Sequence, residues 1–160
     1  MTYEELKELL AITHNPMTLT REMVPTLPGL YVWRSKHDDS IEYIGKASGK
    51  NGLRGRVWCQ HLNPIYLESR PDKIAQDDAQ RGFNILHNGK LCIDKSVFRR
   101  SIGKAHQLSP GVETVRHIRE NCTIAWVTFS SDLLEYIPRW ELDLIKDYPP
   151  RLNKAGNRHS

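Results

Sequence analysis

The chain has 160 residues, 39% of them hydrophobic, with four tryptophans and a net charge of +4 at pH 7, which suits one compact domain with its own core and leaves no room for a second. Its three cysteines, Cys59, Cys92 and Cys122, lie far apart without C-x-x-C spacing; this argues against a disulfide framework or zinc ribbon and for reduced thiols in a cytoplasmic protein. No apolar run approaches the ~20 residues of a membrane span, and the N-terminus opens as an acidic amphipathic helix rather than a signal peptide, so a soluble, intracellular chain is expected.

Taken in order, Thr2 to Ile12 reads as a helix, with Thr2 as N-cap, Glu5 three residues on, and Leu6, Leu9 and Leu10 as an apolar stripe. Pro16, Pro25 and Pro28 then bar further helix. Gly29-Leu30-Tyr31-Val32-Trp33 and Glu42-Tyr43-Ile44-Gly45-Lys46 alternate with the period of half-buried strands, and the polar stretch Ser35 to Ser40 supplies a hairpin loop between them. If they pair, both tyrosines can share one face. Ala47 to Gly52 superficially suggests a phosphate-binding loop, but its glycine spacing is one residue short and Asn51 offers no hydroxyl.

Leu53 to about Leu62 is the next predicted helix, ended by Asn63-Pro64. Residues 63 to 82 are polar and weakly periodic, and read as an irregular insertion. Phe83 to Ile93 shows two apolar runs around Asn88-Gly89, a hairpin signal. Helices are expected over Ser96 to His106 and Val112 to Glu120, a buried strand over Thr123 to Phe129, and a closing helical region from Ser131 to Tyr148 with Pro138 near the start of its second section. That order gives an α+β fold with a small sheet.

Positive charge is concentrated. Lys90, Lys95, Arg99, Arg100 and Lys104 stand against Asp94 alone, and the tail carries Arg151, Lys154 and Arg158 without an acid. Both segments fit contact with a phosphate backbone, or are simply solvated basic faces. The histidines show no metal-ligand spacing with the cysteines, so no zinc site is expected. Glu141 is the best single candidate for chemistry. On a helical wheel it falls within the arc of Ile137, Trp140, Leu144, Ile145 and Tyr148, and a carboxylate on a core-facing stripe is costly unless it is paired or holds a metal.

The ordered set Gly29-Leu30-Tyr31, Tyr43-Ile44-Gly45-Lys46, Arg56, Glu141 and Asn153 resembles the GIY-YIG nuclease family, over about residues 27 to 153. The resemblance implies a three-stranded antiparallel sheet flanked by helices, in a single domain of residues 1–160 with an insertion over about 63–107. It implies an endonuclease hydrolysing DNA phosphodiester bonds with Mg²⁺, or Mn²⁺ in its place, held by Glu141. Tyr31 would activate water, Tyr43 would assist, Lys46 would lower the tyrosine pKa, Arg56 would stabilise phosphate charge, and Asn153 would support the site by hydrogen bonding. Residue chemistry alone does not rank the two tyrosines.

His61 departs from the family spacing, because it lies five residues after Arg56 rather than four and an ideal helix would separate them. Either Gln60 takes the partner place, or Arg54 is the functional arginine, or the helix is locally distorted. A compact chain with an insertion resembles the family's restriction endonucleases, for which a homodimer would cut both strands. DNA contacts are then expected from Lys90, Lys95, Arg99, Arg100, Lys104, Arg151 and Lys154. A structure-selective nuclease and a non-catalytic nucleic-acid-binding module are the alternatives.

Overall fold

The structure, a computed structural model, describes residues 1–69 and 84–152. Its elements among those residues run α1 (Tyr3–Leu9), β1 (Gly29–Ser35), β2 (Ile41–Ala47), α2 (Arg54–His61), β3 (Leu67–Glu68), β4 (Ile85–His87), β5 (Lys90–Asp94), α3 (Val97–His106), α4 (Val112–Asn121), β6 (Cys122–Thr128) and α5 (Tyr136–Asp147). This is the α+β class expected. None of the described helices is long and apolar enough to cross a membrane.

The two tyrosine cassettes pair as an antiparallel hairpin, with Tyr31 opposite Gly45 and Trp33 opposite Tyr43. β6 joins the other edge of β1, placing Trp126 opposite Tyr31, so the sheet order is β2-β1-β6, antiparallel throughout. Alternation then divides the strands between two faces. Leu30, Val32, Ile44, Ala125 and Val127 pack with Leu6 of α1, with Leu10 just beyond its end, and with Ile137, Trp140 and Leu144 of α5. Tyr31, Trp33 and Ile124 face the other way, toward Leu53, Val57, Phe98, Ile102 and Ile118.

The segment read as an insertion carries a second small sheet, β3-β5-β4. Its hairpin turns at Asn88-Gly89, both with positive φ (49° and 76°), as a two-residue loop between right-twisted strands requires. Phe83, expected to open this hairpin, and most of the polar stretch before it lie outside the described residues.

Several boundaries differ from the sequence expectation. α1 stops at Leu9, which is exposed, so the buried stripe is Leu6 and Leu10 alone. The closing region is a 3₁₀ turn, Ser131–Leu133, followed by α5, with Pro138 in the first turn, where no amide donor is needed. Tyr148, placed on the apolar arc by the helical wheel, is exposed because the helix ends at Asp147. Beyond it the chain turns back along β2: the amides of Arg151 and Leu152 donate to the Ile41 and Glu42 carbonyls at 3.1 and 2.8 Å.

Candidate active site

Tyr31 stands on the central strand with its ring over the backbone of Gly45. A Cβ at position 45 would lie 2.3 Å from the Tyr31 hydroxyl oxygen, so only glycine leaves room for the phenol. Tyr43, diagonal to it on the same face, brings its ring centroid to 6.4 Å. The two phenols do share a face, as the period-two reading required.

The helix opposite them, which carries Arg56 and His61, is not an ideal α-helix. α2 is wound as a π-helix, with the Leu62 amide donating to the Val57 carbonyl five residues back at 3.0 Å. In this winding residues five apart stack one turn on, whereas an α-helix would separate them. The helix is therefore locally distorted, which was one of the three alternatives, although Arg56 stays exposed and His61 is buried. Arg54 is committed elsewhere, its Nε donating to the Val24 carbonyl at 2.9 Å. Gln60 also engages Arg56, its Oε1 accepting from Arg56 Nη1 at 3.2 Å.

His61 is 2% exposed and lies against Tyr31, with Nε2 2.7 Å from the Tyr31 hydroxyl. Its Nδ1 is 2.8 Å from the Ser96 hydroxyl, whose oxygen caps α3 by accepting the Arg99 amide at 3.2 Å. Tyr31 and Ser96 are 1% and 4% exposed. Three buried polar groups thus form a line from the sheet, through α2, to the insertion. Ser96 is the residue that sequence reading missed; a serine at the start of a predicted helix signals an N-cap, but not that its hydroxyl also serves a histidine 35 residues earlier.

Burial, modulated by nearby charge, sets the protonation states. Burial, followed by the nearby Arg56 and Arg99 guanidiniums, pushes His61 down to about 3, so its ring is neutral at physiological pH. Burial also raises both phenols, Tyr31 well above 10; Tyr43 and Glu141 add to the rise at Tyr31, and Arg56 opposes it at both rings. The cation acting on the tyrosines is therefore Arg56. Lys46, expected in that role, acts on Glu141, because strand alternation pairs it with Leu30 on the α5 side of the sheet.

Glu141 is half-buried on α5, as the helical wheel placed it. Its carboxyl is raised above the usual range by burial, against the pull of Lys46 and then Arg56. It has no hydrogen-bond or ion-pair partner among the described residues, and no three His, Cys, Asp or Glu side chains converge there. Tyr43 is partly exposed, and its hydroxyl has no partner among the described residues either.

The basic segment needs correction. Arg99 is 0% exposed; its guanidinium pairs with Asp94 and donates to the Gln60 and Asn63 carbonyls at 2.7 and 2.5 Å. It clamps the end of α2 and cannot reach a phosphate backbone. Arg100 pairs with Glu68 at 3.3 Å, and Arg151 with Glu42 at 3.0 Å. Lys90, Lys95 and Lys104 are exposed, Lys95 standing over the Tyr66 ring. Asn153 and Lys154 lie outside the described residues. No protein-family model matches this chain and no curated protein is significantly similar to it, so a functional reading rests on the geometry above.

Proposed function

We propose that this chain is a metal-dependent DNA endonuclease of the GIY-YIG type. The observation that carries the reading is that two phenols and a neutral histidine meet on one face of the sheet, with an exposed arginine and a half-buried carboxylate, unpartnered among the described residues, both near enough to act electrostatically on the phenols. Purely structural packing does not call for this set: an apolar core would be as stable without a carboxylate beside it.

Phosphodiester hydrolysis needs a water activated for attack, compensation of charge on the phosphoryl oxygens, and stabilisation of the departing oxygen. In the proposed reaction the water oxygen bonds to phosphorus while its proton passes to the Tyr31 oxygen in its phenolate form. The bond to the leaving oxygen breaks, and the alkoxide takes a proton from solvent. Arg56, exposed beside the phenols, binds the phosphate and favours the phenolate. Tyr43 and His61 hold the Tyr31 ring in place. Glu141 would hold a magnesium ion, which supplies positive charge at the leaving oxygen. One carboxylate suits magnesium, which takes its other ligands from water and substrate phosphate, and does not suit a closed zinc site.

One observation favours a second assignment within this reading. Tyr43 is the more open phenol, and the Tyr31 oxygen is already engaged by His61. Tyr43 would then face the water, with Tyr31 and His61 as support.

The test is cleavage of supercoiled plasmid, with an RNA control, in Mg²⁺ or EDTA. Discrete DNA fragments that disappear in EDTA support a sequence-specific restriction-type enzyme, and a dimer would leave linear products. Tyr31→Phe and Tyr43→Phe identify the base, whose loss is expected to cost about 10²–10⁴ in rate. The rate should climb with pH through the neutral and alkaline range, because both phenols are raised and their ionised forms are scarce near pH 7. Cutting of branched substrates alone would point to the structure-selective alternative, and binding without cutting to a non-catalytic module.

A further inference from the structure

We propose that the turn from β2 into α2, residues 48–51 with Lys50 as its cation, binds a backbone phosphate of the nucleic acid, flanking the phosphate that Arg56 engages. The inference rests on the reading of nucleic acid as the partner; it does not rest on cleavage.

Between Glu42 and Glu68 the chain carries no acid, and it carries Lys46, Lys50, Arg54 and Arg56. A run of one sign is either the footprint of a polyanion or a solvated face. Where the cations are spent decides between the two. In the basic stretch 90–104, Arg99 and Arg100 are committed to Asp94 and Glu68. Here Arg54 alone is committed, its Nε donating to the Val24 carbonyl at 2.9 Å. Lys50 and Arg56 are exposed and Lys46 is half-buried, and none of the three forms an ion pair among the described residues. All three lie on the one connection that leaves β2 beside Tyr43 and enters the helix opposite the phenols. A small anion would engage one of them, whereas a polymer with repeating phosphates engages the series.

The turn itself is fixed at its base and open at its surface. The Gly52 amide closes it by donating to the Gly49 carbonyl at 3.0 Å. Gly52 has a positive φ (52°) and sits so near the Thr26 and Leu27 carbonyls that a Cβ there would lie 2.3 and 2.2 Å from their oxygens. The Leu53 and Arg54 amides donate to the Leu27 and Pro25 carbonyls at 2.9 and 2.8 Å, which pins the entry to α2. Ser48, Gly49, Lys50 and Asn51 are all exposed, and their amides donate to no acceptor among the described residues. A Cβ added at Gly49 would meet nothing within 4 Å. Backbone amides and lysine are both donors to backbone phosphates. The glycine spacing that falls short of a nucleotide-binding loop is no obstacle to this role, because a phosphate on an open strand needs no enclosing loop and no hydroxyl for magnesium. Such a contact positions the nucleic acid over the phenols without reading its bases.

The test is binding of a short DNA duplex by the full chain in EDTA, measured across a salt series. Lys50→Ala is expected to weaken binding about fivefold at physiological salt and to lower the slope of log Kd against log salt by about one, the effect of losing one phosphate contact. Gly49→Glu, whose side chain enters open space, places an acid in the turn and should weaken binding further. Lys7→Ala, on the helix that packs on the other face of the sheet and paired there with Glu4, should leave the slope unchanged. A native slope in both Lys50→Ala and Gly49→Glu overturns the proposal and leaves the nuclease reading standing. Failure of the native chain to bind the duplex also overturns it. Lys50-dependent binding by a chain that cuts nothing once Mg²⁺ is supplied upholds the proposal and removes the nuclease reading.

Discussion

On the α1 and α5 side of the sheet, the inward positions of β1 are Leu30 and Val32, and they meet Leu6, Trp140 and Leu144. On the other side the inward positions are Tyr31 and Trp33, and they meet Phe98 and a buried histidine wired to a serine. Both faces are equally dry, so burial alone does not separate core from site. What separates them is that one face buries hydrogen-bonding groups and joins three of them, Tyr31, His61 and Ser96, in a directed line, although the Trp33 indole N–H beside them has no partner among the described residues; such a line constrains geometry far more tightly than aliphatic packing does.

Stability and activity should therefore respond differently on the two sides. The largest effect on folding is expected at the clamp: Arg99→Leu leaves the Asp94 carboxylate buried without its cation, at a cost of about 3–5 kcal/mol in denaturant unfolding. Leu6→Ala, on the apolar face, should cost about 2–5 kcal/mol, yet leave cleavage per folded molecule unchanged. Gly45→Ala should reverse that pattern. Its added methyl collides with Tyr31, costing about 1–3 kcal/mol by overpacking, while cleavage is lost.

Smaller when taken per pH unit is the effect at His61. Its folded pKa, about 3, lies below the 6.5 of the free ring, so the unfolded chain binds more protons between those values. Stability from this group is complete above pH 6.5 and falls as pH drops toward 3, by at most about 1.4 kcal/mol per pH unit. Glu141 and Glu42, both raised, run the opposite way near the carboxylate range. The comparison of native chain with His61→Gln isolates the histidine. Smallest is Lys90→Ala, fully on the surface of the insertion, which should change stability by no more than about 0.5 kcal/mol and flatten the salt dependence of DNA binding by about one unit of slope.

The sheet was legible because alternation is a local signal: Leu30, Tyr31, Val32 and Trp33 announce their faces within four residues. Glu141 was legible for the same reason, as a charge on an apolar helical stripe. Arg99 was misread because the sequence shows a basic cluster but not which member turns inward; that depends on Asp94 and on two carbonyls at the end of α2. The π winding was visible only as a spacing that an ideal helix could not satisfy. Ser96 left no mark beyond its capping position, since its partner His61 reaches it only through tertiary structure.

The central claim is that the proposed site hydrolyses phosphodiesters with Glu141 as its metal-holding group. The most direct test is plasmid cleavage by native chain and Glu141→Ala, titrated with Mg²⁺, with thermal unfolding measured alongside. The account predicts metal-dependent cutting by the native chain and a loss of about 10²-fold or more in a variant that remains folded, the scale of removing one electrostatic stabiliser. Equal cutting by both, or cutting by the native chain that persists in EDTA, would contradict it.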